Sequence, residues 1–522
     1  MSALDISIVI LYLLFIIWRG FKEGRHHNTT DDFFLANRSL SWPMIGLSLY
    51  ATNISISSII GLAGSGYETG ISVFNYEWTG SIILIIFAIF IIPYYLRHKL
   101  VTMPEFLERR FDQRSRTYFS IISIAINIII DIAGALYASS LFLKGLFPEI
   151  DLIIFVIGMA ILTGLYTMVG GLRAVVITDG IQAILLTLGS AAVAIIVFMN
   201  IGSWTEIHQQ IPEDFFSLIK PVDDKFIPWP TLIVSLPILG FYFACSNQHM
   251  VQRILGAKSI DHGRKGAIFA AALKLPLLFI LVIPGTLGRI IYPDIENANL
   301  IFPELMFDFL PVGILGLVMT GFVAALMSSI DSALTAASSI ATIDLYKKYR
   351  PKSSQKHLVF VGKAFILIAV AIASLWAPFI NTFPTLWEYL QAVLSYMSPP
   401  VVTCFIFGLF WKYATSDAAF YALIIGGITG ILLVLNNYLY PVIGTIHYLY
   451  SATIIFSISS LVIVVFSLLD KNRTSHPIPK GVWKLSLTGT LSISPQVSWY
   501  KSYQFYALIV CILTFSIVFL FR

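Results

Sequence analysis

The sequence predicts an all-α membrane protein of about fourteen transmembrane helices. Three observations point there. Of 522 residues, 57% are hydrophobic and only 12% are charged, whereas a soluble chain carries roughly a quarter charged residues. The mean hydropathy is +0.84. The charges are clustered, and the apolar runs between them are about 20 residues long, enough to cross the hydrocarbon core as helix.

In chain order, residues 4–20 hold "ISIVILYLLFIIW" and run into charges, not into a small-residue cleavage site. This segment therefore reads as a first span and not as a leader. The following spans are 41–67, 71–96, 117–146, 151–169, 174–201, 229–252, 264–291, 311–346, 358–380, 383–411, 417–439, 446–469 and 502–521. An even number puts both termini on one side of the membrane. With both outside, most Lys and Arg fall in cytoplasmic loops such as "RHKLVTMPEFLERRFDQRSR", "QRILGAKSIDHGRK" and "KKYRPKSSQK", as the positive-inside rule requires. The segment 470–501 reads as a cytoplasmic surface loop. On this topology Asn28, Asn37, Asn53 and Asn472, each in an Asn-x-Ser/Thr triplet, are inside the cell or the membrane and are not glycosylation acceptors. Cys245, Cys404 and Cys511 lie in apolar segments and suggest neither a disulfide framework nor a Cys-rich metal site. The net charge of +5 is loop charge.

Two spans are interrupted by polar residues. "ATNISISSIIGLAGSG" (51–66) places an Asn, four Ser, a Thr and three Gly within the second span. Ile54 is about 13 residues into it, roughly 20 Å, near the midplane. Lipid cannot bond a freed peptide group, so a broken helix survives only where protein or a watery cavity surrounds it. Transporters use such breaks to aim carbonyls at Na⁺ and half-helix ends at substrate. "ACSNQ" (244–248) interrupts the seventh span, five spans later. Paired breaks at that spacing suggest two five-helix repeats of opposite orientation. The expected organisation is a first helix and loop (1–40), repeats over 41–201 and 202–411, and three further helices (412–522). Small-residue helix packing accounts for "GLAGSG" but not for Asn53 and the hydroxyls.

At these residues the chain resembles the sodium:solute symporter family, nearest its sodium/glucose–galactose branch. The stretches that carry the resemblance are "DDFFLANRSLSW" (31–42), "NYEW" (75–78), "VTMPEFLERRFD" (101–112), "VGGLRAVVITDGIQ" (169–182), "NQHMVQRILGAKS" (247–259), "LMSSIDSAL" (326–334), "TIDLYKKY" (342–349) and "FGLFWK" (407–412). They cover nearly the whole chain in order. The resemblance implies a leucine-transporter-type fold: ten core helices as two inverted repeats, one helix before and three after.

It also implies a sodium site. Na⁺ is hard and takes oxygen ligands. Carried over by motif, the ligands are the carbonyls of Ala51, Ile54 and Ala325 and the hydroxyls of Ser328 and Ser329, which lie about 17 residues into the ninth span. Asp179, in the "TD" motif, matches a position on the sodium exit route or at an additional sodium site; the bland alternative is a partner for Arg173 or another loop cation. Asp331 is open between sodium release and structural pairing.

On the substrate side, Lys274 is about 15 Å into its span. A charge there costs at least about 2.5–3.5 kcal/mol, so it needs a partner: Glu77, or else Asp131. In the sugar-transporting branch, residues matching Asn53, Glu77, Asn247, Lys274 and Gln391 line the pocket, and Tyr76 and Trp387 match walls or gates. Ser57 and Ser58 stand where galactose-type members carry an acid and an amide, and His249 replaces the inner tyrosine gate. The sialic-acid branch uses an arginine where this chain has Asp131, which argues against an anionic substrate. The sequence is thus read as a Na⁺-driven symporter, not an enzyme, with one or two coupling ions. Its substrate is read as a neutral sugar or polyol, and a monomer in the bilayer suffices. The alternatives are sialic acid, a carboxylate or an amino-acid-like solute, proton coupling, or a solute-gated channel or sensor.

Overall fold

The computed structural model describes residues 2–23, 35–146, 149–439, 441–442, 444–470 and 498–522. Asn28, Asn472 and most of the 470–501 loop lie outside them. Among the described residues the chain is helical, and the β-type pairing consists of the isolated bridges Leu40–Ala257 and Lys220–Pro228. Each of the fourteen predicted segments lies on helix. Among the described residues, nine helices are long and apolar enough to cross a membrane, ten if the pair Leu386–Met397 and Pro399–Phe410, bent by 56°, is one span. Polar breaks and bends divide other predicted crossings into shorter pieces.

We number the helices used below in chain order: α1 (Ala3–Glu23), α2 (Trp42–Asn53), α3 (Ile56–Thr69), α4 (Asn75–Ile86), α5 (Gln113–Ile126), α6 (Leu152–Ile201), α7 (Ser235–Phe241), α8 (Gln248–Leu255), α9 (Ile260–Lys274), α10 (Ile314–Ile340) and α11 (Leu386–Met397). The expected spans 151–169 and 174–201 are one continuous helix, α6, of 50 residues. Nothing in "TMVGGLRAVV" forbids this. The stretch has no proline, and each glycine costs only about 1 kcal/mol relative to alanine.

α2 and α3 are the two halves of the first broken span. Ile54 sits between them at φ −86°, ψ 62° and ends the first half. Ser55 starts the second as its N-cap, accepting from the Ser58 amide at 3.1 Å. The Ser58 hydroxyl donates to the Asn53 carbonyl at 2.6 Å, which satisfies one of the carbonyls orphaned at a helix end. The hydroxyls thus supply the bonds that lipid cannot. The second broken span repeats the device. α7 runs into a π turn, Tyr242–Ser246, and then Asn247 leaves the helical region at ψ 121°. Its side chain caps α8 by accepting from the His249 amide at 2.9 Å.

The small residues of "GLAGSG" pack as a seam. A Cβ on Gly66 would lie 2.6 Å from the Val282 carbonyl oxygen, and one on Gly285 would lie 2.1 Å from that of Ala63. α9 lies along both α2 and α4, and α10 packs against both halves of the first broken span.

Candidate functional site

The breaks open onto one cavity. Its empty volume is about 1090 Å³, counting the part open to solvent. All ten residues expected at the substrate site line it: Asn53, Ser57, Ser58, Tyr76, Glu77, Asn247, His249, Lys274, Trp387 and Gln391. They come from both broken spans and from α4, α9 and α11, so residues more than 300 positions apart converge.

The charged centre is a closed set. Lys274 Nζ lies 2.9 Å from Glu77 Oε2 and donates to Asn53 Oδ1 at 2.9 Å. Asn53 Nδ2 donates to Glu77 Oε2 at 3.2 Å. Glu77, and not Asp131, is therefore the lysine's partner. All three residues are buried. Gly80, one turn beyond Glu77, makes room for the ammonium: a Cβ there would lie 3.0 Å from Nζ.

On one side, the Tyr76 and Trp387 rings meet edge to face with centroids 5.7 Å apart. The Tyr76 hydroxyl bonds that of Tyr448 at 3.1 Å. The same two rings border a smaller pocket that includes Thr385, Glu388 and Tyr448, so the aromatic pair is the partition between the two spaces. On another side, His249 Nδ1 lies 3.8 Å from Asp131 Oδ2. Asp131 lies in a π-helical stretch, Asn127–Ile132, that continues α5; such insertions are rare and gather at functional sites. Ser57 lines the cavity, whereas the Ser58 hydroxyl is already engaged with Asn53.

Of the expected sodium ligands, Ala51 and Ile54 stand at the first break, and Ser329 lines the cavity onto which that break opens. Ala51 and Ile54 are buried where α2 ends. Ser329 of α10 lines the same cavity as Thr52, Asn53 and Ser55. Its hydroxyl donates to the Ala325 carbonyl at 2.7 Å, which leaves lone pairs on both oxygens. The Ser328 side chain lies outside the described residues.

Asp179 pairs with Arg253 of α8. Arg253 Nη2 is 3.3 Å from Asp179 Oδ2, and the Ser48 hydroxyl donates to the same oxygen at 2.5 Å. Arg253 also donates to Ser48 Oγ at 2.8 Å, to Ser332 Oγ at 2.5 Å and to the His249 carbonyl at 2.5 Å. The sequence reading placed Arg253 in a cytoplasmic loop with the other basic residues of its segment. It is instead 1% exposed, because these partners satisfy its guanidinium inside the bundle. The Arg173 side chain is outside the described residues. Asp331 is buried nearby in α10, and its Oδ1 has no hydrogen-bond partner among them. The sequence reading missed Arg253, Gly80 and the cavity-lining Thr52 and Ser55. Only the position of Arg253 after an interrupted span could have signalled a buried role.

Two broken helices around a shared cavity with a compensated buried charge define a secondary transporter. The sequence profile of the sodium:solute symporter family matches residues 33–426. Sodium/glucose cotransporter 1 of Oryctolagus cuniculus is 32% identical, with 93% of this chain and 81% of that protein covered. Sodium/myo-inositol cotransporter 2 of the same organism is 33% identical, covering 92% and 78%. This chain belongs to the sodium:solute symporter family, and it is a sodium-coupled, multi-pass membrane transporter, not an enzyme. The solved structure of a Na⁺-coupled sialic acid symporter, in a substrate-bound outward-open state, superposes with a TM-score of 0.78 at 23% identity, covering 90% of this chain and 98% of that one. A nucleobase-cation-symport-1 family transporter superposes at 0.52 and 14% identity, covering 85% and 97%. Both support the leucine-transporter-type fold.

Proposed function

We propose that this chain couples inward Na⁺ movement to uptake of a neutral polyhydroxylated solute, a hexose first and an inositol second. The observation that carries the reading is the Lys274–Glu77–Asn53 set. Its charges cancel internally, and it offers both donors and acceptors to the cavity. A polyol, whose hydroxyls both donate and accept, matches such a set. Asn247 and Gln391 add amide groups, and Tyr76 and Trp387 supply an apolar wall for a sugar ring and an outer closure. The names of the sodium/glucose and sodium/myo-inositol relatives agree with this substrate class.

Na⁺ binds the carbonyls of Ala51, Ile54 and Ala325 and the hydroxyls of Ser328 and Ser329. Bridging α2 to α10, it holds the break open and preorganises the pocket. Asp179, one turn of α2 away through Ser48, receives the ion on its way out. One charge moved down 100 mV supplies about 2.3 kcal/mol, roughly 50-fold accumulation of a neutral solute. The test is a thermal-shift screen of the purified protein with hexoses, inositols and sialic acid, each in Na⁺ or K⁺. Stabilisation by a hexose or inositol in Na⁺ only is expected. Stabilisation by sialic acid alone overturns the substrate class, and equal stabilisation in K⁺ overturns the coupling.

A further inference from the structure

The cavity holds a second polar group that the compensated set does not use. Among the described residues, Asp131 Oδ2 is buried without a hydrogen-bond partner, and so are both ring nitrogens of His249. The two side chains are 3.8 Å apart at their nearest atoms, too far for a hydrogen bond, and both line the cavity. A buried acceptor left unsatisfied is costly, so the arrangement is completed by something that donates. The charges of Lys274 and Glu77 cancel, so in its ionised form Asp131, beside a neutral imidazole, gives the lining one negative charge in excess.

We infer that Asp131 and His249 form the specificity-determining end of the substrate site, which accepts a hydroxyl or amino group of the solute and excludes a carboxylate. Two hydroxyls of a ring donate to the carboxylate while the imidazole nitrogens accept or donate alongside. A carboxylated sugar brings its charge against Asp131 in a low dielectric and cannot donate there. The inference rests on the polyol reading above and deepens it by giving the site a charge rule.

The experiment is equilibrium binding to the purified full chain in Na⁺, with a hexose, the corresponding hexuronate, and the neutral hexuronamide of the same shape. The wild type is expected to bind hexose and hexuronamide comparably and hexuronate at least tenfold more weakly. Asp131→Asn weakens hexose binding about 10- to 100-fold, the range for one hydrogen bond to a charged group. It also strengthens hexuronate relative to hexose by at least tenfold, a crossover that a merely structural role does not produce. His249→Gln, the second variant should D131N fail to fold, weakens hexose binding and keeps the exclusion. Equal wild-type binding of hexuronate and hexuronamide overturns the inference, as does an unchanged hexose-to-hexuronate ratio in D131N or loss of exclusion in H249Q. Failure of every hexose to bind the wild type in Na⁺ would instead sink the polyol reading itself.

Discussion

Lys274→Met removes the cation and keeps most of the side chain's volume. The Nζ–Oε2 separation is 2.9 Å. With an effective dielectric of about 20, the attraction lost is about 6 kcal/mol. Desolvation offsets part of it, and breaking a buried pair from one side costs about 3–5 kcal/mol, because the other charge is left uncompensated. Glu77 is that stranded charge, and Asn53 loses its donor. Removing the carboxylate charge as well, in Glu77→Gln/Lys274→Met, therefore restores most of the stability while leaving the site without its donor–acceptor set. The assay is a double-mutant cycle: thermal unfolding of the wild type, both single variants and the double variant, with hexose binding measured on each. K274M is expected to melt lower than the double variant, and neither is expected to bind hexose measurably. Wild-type stability in K274M, or a double variant no more stable than K274M, would refute the reasoning. Near-normal hexose affinity in K274M would make the lysine purely structural.

Gly80→Ala places a Cβ 3.0 Å from Lys274 Nζ and is expected to weaken hexose binding at least about tenfold. Gly158→Ala, where nothing lies within 4 Å of the added atom, is the control and should leave binding unchanged. Ser58→Ala removes the 2.6 Å bond to the Asn53 carbonyl and should cost about 1–3 kcal/mol of stability. Ser57→Ala, at a cavity-lining position, should cost less stability than Ser58→Ala and alter hexose affinity; thermal melts and binding on the two variants separate these effects. Ser329→Ala removes one proposed ligand of a hard cation, worth about 1.5–3 kcal/mol, or about 10- to 150-fold in Na⁺ affinity. By linkage, Na⁺ then stimulates hexose binding less at a fixed subsaturating concentration, and an unchanged Na⁺ dependence would remove Ser329 from the site.

Much of the site was legible in sequence, for identifiable reasons. Polar residues are costly in apolar spans, so "ATNIS" and "ACSNQ" announced the breaks, and a lone Lys274 announced a buried partner. The choice of Glu77 over Asp131 needed geometry, because both acids sit in spans that reach the cavity. Ser57 and Ser58 read alike in one dimension. Only the turn at Ile54 makes one a cavity residue and the other also a helix cap. Arg253 was misplaced because charge at the end of a span normally marks a loop, and its partners Ser48, Asp179 and Ser332 lie on three other helices. The π turns at Asn127–Ile132 and Tyr242–Ser246 leave no compositional trace, so the rotation that sets Asp131 in the cavity wall could not be read. The unbroken α6 was missed because Arg173 beside paired glycines has the composition of a loop without the proline that would enforce one.

The most direct test of the coupled-transport account is labelled hexose uptake into proteoliposomes of the purified chain, with an inward Na⁺ gradient and an inside-negative potential. The account predicts transient accumulation well above the external concentration, abolished when Na⁺ is replaced by K⁺ or the gradients are collapsed. Uptake that only equilibrates, or that proceeds equally in K⁺, would contradict it.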